Sequence, residues 1–283
     1  MPVREEDLAE DRASQVRMPF VKHLEELRSR IILSLISVFA GMIAAYLLYD
    51  PWILDILRAP LDTLAGRSEN PFVFQTPFAG LFESSENVAG VKFDLHFIDP
   101  LEVFMVKLKA SLFAGFVLAF PFVSWQTWKF VGCGLTARER SACRVFIPVS
   151  LILFSAGLLA AYFVMAPIVL YFLVIIVGHS LVPMLTISRY VSLVVICCLV
   201  FGLSFQLPLV IYMLTRFGLV NPETLAEKRK YAVLIIFISA AMLTPPDIVT
   251  QILIGLPLIV LYEAGIVVSR MAVSRRRTAH KDS

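Results

Sequence analysis

Glu26 and Glu139 are carboxylates set beside cationic side chains at the ends of apolar runs. Glu26 stands in Phe20-Val21-Lys22-His23-Leu24-Glu25-Glu26-Leu27-Arg28-Ser29-Arg30, just before the first run, and Glu139 stands between Arg138 and Arg140 after the second. Two chemistries fit such residues. Within the chain each can form a local ion pair: Lys22, Glu26 and Arg30 are four apart, the spacing that stacks charges on one face of a helix. An exposed pair of that kind contributes little to stability. Toward a partner, Glu25 or Glu26, and Glu139, could take an incoming guanidinium through two parallel hydrogen bonds. Lysine cannot copy that planar fork.

A second group consists of polar side chains inside apolar stretches. Gln206 lies in Ser204-Phe205-Gln206-Leu207-Pro208, and Glu263 lies toward the end of the last run. Lipid cannot satisfy an amide or a carboxylate, so each must face protein or water. Gln206 is either half of an interhelical hydrogen bond or a polar spot that receives something hydrophilic. Asp247 follows Thr244-Pro245-Pro246. No catalytic constellation accompanies them. His23, His96, His179 and His280 are scattered, no Gly-rich phosphate loop occurs, and Cys133, Cys143, Cys197 and Cys198 form no CxxC pair. Apolar packing is the expectation for the cysteines. The pattern speaks against an ATPase, a membrane protease or any enzyme, and calls for no cofactor, metal or nucleic acid.

The elements that position these residues are membrane spans. The 283-residue chain is 58% hydrophobic and only 17% charged, with a mean hydropathy of +0.80. A span needs about 20 mostly apolar residues. Runs of that kind cover 31–49, 103–125, 145–177, 190–214 and 248–268. The third is long for one upright span, and Pro167 is expected to kink or end it. A sixth stretch, 231–243, is short. Lys107 and Lys109 near the start of the second run can snorkel to the surface. Trp125 and Trp128 are expected to anchor at the interface. Phe20, Leu24, Leu27 and Ile31 form an apolar stripe, which suits an interfacial helix.

Basic residues sort to one side: six in the N-terminal arm, four in the loop after the second span, four in the loop after the fourth and five in the tail. The opposite side holds Arg58, Arg67, Lys92 and Arg189, with an acidic excess between Asp50 and Pro100. The positive-inside rule then places both termini in the cytoplasm, with six spans and the 50–100 segment outside. The charged start of the chain lacks the form of a signal or transit peptide, so a bacterial host is expected. The expected domains are a flexible cytoplasmic N-terminus (1–17), a transmembrane core (18–270) and a basic cytoplasmic tail (271–283).

These residues together resemble the TatC family, the large membrane subunits of twin-arginine protein translocation. The resemblance lies in His23-Leu24-x-Glu26-Leu27-Arg28, Ala59-Pro60-Leu61, Trp128-x-Phe130 with Leu135-x-x-x-Glu139-Arg140, Ser204-Phe205-x-x-Pro208, Pro222-Glu223-x-Leu225 and Leu243-Thr244-Pro245-Pro246-Asp247. These run in family order over residues 18 to 270. The resemblance implies an all-α membrane protein: six transmembrane helices in a concave cup, the last two short. It implies a receptor for folded precursors whose signal peptides carry paired arginines, bound by Glu26 and Glu139 with Phe130, Leu27 and Arg28 in the same recognition region. It assigns Pro60, Gln206 and Asp247 to the concave face or to structural roles. It further implies TatB-type and TatA-type single-span partners, an oligomeric complex in the bacterial inner membrane, and transport driven by the proton-motive force. One departure stands out: many family members carry glutamate where this chain has Gln206, and glutamine cannot ionise. The rival class is a small-molecule or ion transporter with a path through Gln206, Asp247 and Glu263. The lack of an internal repeat and of paired intramembrane charges counts against it. A third class is a purely structural scaffold.

Overall fold

A computed structural model of the chain describes residues 20–64, 96–133, 137–178, 186–243 and 248–279. It is built from helices; among the described residues no β-strand occurs, and His96 and Thr186 make an isolated bridge. Helix α1 is Phe20–Leu47. A π turn, Tyr49–Ile53, leads into α2, Leu54–Leu64. Helix α3 is Pro100–Cys133 and α4 is Ala137–Ala160. A second π turn, Ala161–Met165, leads into α5, Ala166–Gly178. Then come α6, Ile187–Ser204, α7, Leu207–Arg216, and the short α8, Pro222–Glu227. Helices α9, Arg229–Leu243, and α10, Ile248–Ala279, complete the order.

Among the described residues, five helical segments are long and apolar enough to cross a bilayer: Leu24–Leu47, Pro100–Gly132, Val145–Phe172, Ile187–Arg216 and Thr250–Met271. Helices suit this environment because they satisfy their own backbone groups. The 15 residues of α9 reach only about 22 Å at 1.5 Å per residue, which matches the short stretch 231–243. The expectation that the last helix is also short is corrected. Helix α10 has 32 residues, because Pro257 is accommodated within it and the Arg275–Arg277 run continues it. Basic residues are favoured at the C-terminal end of a helix dipole.

Prolines place the interruptions. A proline removes the N–H that would reach the carbonyl four residues back. Helix α1 ends at Leu47, four before Pro51, and α6 ends at Ser204, four before Pro208. Phe163, four before Pro167, lies in the π turn that breaks the long third run. That run therefore divides at a wide turn just ahead of its proline.

The main core gathers on α6. Tyr190, Val194, Cys197 and Phe201 pack against Val106 and Ala110 of α3, Val169 and Leu170 of α5, and Leu57 and Leu61 of α2. Cys197 and Cys198 are buried free thiols, the packing role anticipated for them. A second cluster joins Trp128 of α3 and Phe146 of α4 to Leu209 and Met213 of α7. Trp128 is thus buried, its ring 5.2 Å from that of Phe146, whereas Trp125 is exposed. Of the two tryptophans expected at the interface, Trp128 packs within the protein because three helices converge on it.

Helix α1 stands apart. Only 6% of its apolar window is buried, and its close contact is the crossing with α3, where Gly41 meets Gly115 backbone to backbone. At the far end of this pair, Lys107 Nζ sits over the rings of Tyr46 at 4.8 Å and Tyr49 at 5.1 Å. These are cation–π contacts; Lys107 is held by aromatic faces. Lys109 reaches Ser192 Oγ at 3.4 Å. At the start of α6, the Glu102 carboxylate accepts the N–H of Ser188 at 3.1 Å and of Ile98 at 2.9 Å. A carboxylate complements the positive end of a helix.

Candidate functional site

Helices α1 and α3 run antiparallel, so the beginning of α1 meets the end of α3. There Arg30 forms the centre of a small network. Its Nη2 donates to Glu26 Oε1 at 3.0 Å and its Nη1 to Gln126 Oε1 at 2.6 Å. The spacing of Glu26 and Arg30 places both on one face of α1. Their side chains are only 21% and 17% exposed, so this pair is more shielded than a surface ion pair. Gln126 is buried, and its carbonyl oxygen requires the donor that Arg30 supplies.

Beside this network lies an apolar groove of about 410 Å³, lined by Leu27, Ile31, Leu35, Phe116, Val123 and Phe130, with Arg30 and Gln126 on its polar wall. The polar end is formed by Arg30 and Gln126, with the Glu26 carboxylate bonded to Arg30 behind them; beside an apolar trough it suits a ligand with a polar head able to engage that pair and an apolar continuation.

The structure thus brings Glu26, Leu27 and Phe130 to one place. Arg28 is exposed on a different face of α1. Residues 125–133, read from sequence as a loop, are the last turns of α3, and only residues 134–136 separate α3 from α4. Glu139 lies in the first turn of α4; its side chain is outside what the structure describes. Asp247 also lies outside the described residues. Sequence reasoning missed Gln126 and the bridging role of Arg30. The available signal was a glutamine between Trp125 and Trp128 at the end of an apolar run.

Gln206 takes the interhelical option. Its Nε2 donates to the Ser150 carbonyl at 2.9 Å, and its Oε1 accepts from Ser150 Oγ at 2.9 Å. Ser150 Oγ is in turn 3.0 Å from Ser124 Oγ. This chain of bonds links α3, α4 and the α6–α7 break. Glu263 pairs with Arg229, with contacts of 2.7 and 2.9 Å. Both partners are well exposed, and such a pair adds little stability.

Pro60 sits within α2, buried, on the opposite end of the α1–α3 pair. Its missing N–H frees the Ile56 carbonyl, which accepts the hydroxyl of Tyr162. The neighbouring Leu57 carbonyl accepts Tyr190 Oη at 2.6 Å. Two tyrosines from different helices therefore clasp α2 where the proline weakens it. Replacing both, Tyr162→Phe with Tyr190→Phe, should destabilise the protein by about 1–3 kcal/mol, since each hydrogen bond lost contributes about 0.5–1.5 kcal/mol. The loss is read as a lower midpoint of unfolding in detergent.

Comparison with known proteins agrees with this architecture. The family described as Sec-independent protein translocase protein (TatC) matches residues 22–257. The Sec-independent protein translocase protein TatC of Carboxydothermus hydrogenoformans is 38% identical over 254 residues, covering 89% of this chain and 93% of that protein. The protein of the same name from Aquifex aeolicus is 32% identical over 269 residues, covering 93% of this chain and 100% of that one. A crystal structure described as that of the twin arginine translocase receptor TatC superposes with a TM-score of 0.74 at 31% identity, covering 89% of this chain and 99% of that chain. The overall fold is thus shared with that structure, and the chain is a member of the TatC family of Sec-independent protein translocase proteins.

Proposed function

We propose that this chain is the receptor and core subunit of a twin-arginine protein translocase, and that it does no covalent chemistry. It binds the signal peptides of folded precursors through their paired arginines and passes them to single-span TatB-type and TatA-type partners, with the proton-motive force driving transport. The observation that carries this reading is the apolar groove bordered by the Glu26–Arg30–Gln126 network, with Leu27 and Phe130 on its walls. A carboxylate offers about four lone-pair positions, so Glu26 can accept a guanidinium of the peptide while exchanging its bond to Arg30. Glu139, in the first turn of the next helix, supplies the second carboxylate. Arg28 and Leu27 complete the arm that shapes the entrance. Pro60, Gln206 and Asp247 are assigned to structure rather than to peptide contact.

The membrane arrangement that fits this function has six spans, with α9 as the short fifth, both termini cytoplasmic, and the helices enclosing a concave face. The charge asymmetry supports it. The host membrane is the bacterial inner membrane, and the working form is a multi-subunit complex. The transporter reading loses support because Gln206 and Glu263, two of its three path residues, already have protein partners.

The test is photo-crosslinking in membranes from a probe at Phe130 to a twin-arginine signal peptide. Crosslinks should form and should fall at least tenfold when both arginines of the peptide become lysines, because lysine lacks the bidentate fork. Equal crosslinking of both peptides would overturn the reading.

A further inference from the structure

The α6–α7 break has a feature that polarity alone does not explain. Gln206 uses both ends of its amide on one residue of α4, as donor to the Ser150 main-chain carbonyl and as acceptor from the Ser150 hydroxyl. The bonding fixes the orientation of the amide, since the carbonyl oxygen of Ser150 can only accept. Ser150 and Ser124 are buried, 3% and 4% exposed. An ionised carboxylate at position 206 could accept from the hydroxyl but would confront the carbonyl with a second acceptor. A neutral group with one donor and one acceptor is required.

The break itself needs such a tie. Pro208 cannot donate to the Ser204 carbonyl, and Gln206 N bonds instead to Leu203 O at 3.0 Å. Close beyond the clamp, the cluster of Trp128, Phe146, Leu209 and Met213 joins the same three helices. Ser124 is six residues from Phe130 and Ser150 is eleven from Glu139, about 9 and 16 Å along their helices. The clamp therefore sits at the base of the two helix ends that carry the recognition residues.

We propose that Gln206 is a positioning residue: its neutral, donating amide clamps the α6–α7 break to Ser150 and Ser124, and so sets the spacing between the end of α3 and the start of α4. The effect on peptide binding rests on the function proposed above; the effect on helix spacing does not.

Charged residues on the packed helices are Glu102, Lys107, Lys109 and Lys129 on α3, Arg138, Glu139, Arg140 and Arg144 on α4, Arg189 on α6, Arg216 on α7, and Glu263, Arg270 and the Arg275–Arg277 run on α10. Lys129 is five residues from Ser124, Arg144 six from Ser150 and Arg216 ten from Gln206, about 7 to 15 Å along their helices. Arg216 donates to Tyr212 Oη. Glu263 is two residues from Gly265, which packs on Pro208, and it is paired with Arg229.

The experiment measures the distance between spin labels at Lys129 and Val145 in the full chain, with Cys133 and Cys143 replaced by serine. Gln206→Met keeps length and removes the donor. It should broaden the distance distribution at pH 6 and pH 9 and lower the crosslink yield at Phe130 about tenfold. Gln206→Glu should match the parent chain at pH 6, where the protonated acid can donate, and match Gln206→Met at pH 9, each compared with the parent at the same pH. A purely space-filling role would give no such pH split. An unchanged distribution in Gln206→Met, or no difference between the two pH values in Gln206→Glu, overturns the proposal. If the distances shift as expected while the parent chain never crosslinks to a twin-arginine peptide, the receptor reading fails and the clamp stands.

Discussion

Gly115→Ala should separate α1 from α3 and abolish the groove. A Cβ at Gly115 would lie 2.3 Å from the Met42 nitrogen, 2.5 Å from Met42 Cα and 2.7 Å from the Gly41 carbonyl carbon. Comfortable contacts between such atoms need about 3.5 Å or more. All three atoms are main chain, so no rotamer change relieves the clash. Overpacking typically costs about 1–3 kcal/mol and occasionally more. A backbone-on-backbone clash belongs at the upper end. Helix α1 has few other buried contacts to hold it, so it should shift along its whole length. Leu27, Ile31 and Arg30 move with it, away from Phe130 and Gln126. The expected outcome is at least a tenfold loss of signal-peptide crosslinking at Phe130, together with a lower unfolding midpoint. Gly218→Ala is the control. Gly218 has φ +74° with nothing within 4 Å of a Cβ, so it should cost only the left-handed backbone penalty of about 1–2 kcal/mol and leave the groove intact. Full crosslinking in Gly115→Ala would show that the two helices can part without harm to the site.

The second large effect concerns the carboxylates. Glu26→Gln and Glu139→Gln each remove a charged acceptor but keep the shape of the side chain. Hydrogen bonds to charged groups contribute about 1.5–3 kcal/mol each, so each change should weaken peptide binding about 10- to 100-fold. The double change should abolish it at ordinary peptide concentrations. Glu26→Gln has an added consequence, because Arg30 then loses its anionic partner and is left with neutral amide acceptors. An arginine without a countercharge at the groove wall would repel the incoming guanidiniums, so Glu26→Gln should be the more damaging of the two. Equilibrium titration of a labelled signal peptide onto the purified chain measures this. Wild-type affinity in the double variant would mean that the arginines are read elsewhere.

Several features of this site were legible in the order of residues. The i,i+4 spacing of Glu26 and Arg30 announced their pairing, and Pro167 marked where the long third run divides. These are local effects: they depend on residues within one or two turns, and a helix in lipid must satisfy its backbone within itself. The reading of 125–133 as a loop failed for the complementary reason. Lys129, Gly132 and the polar flanks looked like a surface segment, but Trp128 had Phe146, Leu209 and Met213 to pack against, and that burial carried the helix on to Cys133. The last helix was likewise longer than expected, since its basic end continues the helical turns of the membrane segment.

By itself the sequence determined the membrane character, the apolar spans and the uneven distribution of basic residues, because each is written in composition along the chain. The tertiary structure alone decided which distant residues meet. Arg30 finds Gln126 across 96 positions, Gln206 finds Ser150 across 56, and Gly41 finds Gly115. The reason is that apolar helices gain little from burial against one another in lipid, whose tails are equally apolar. Their contacts are selected by close backbone approach at small residues and by the few polar groups that must find a partner, and neither choice leaves a periodic mark on the chain.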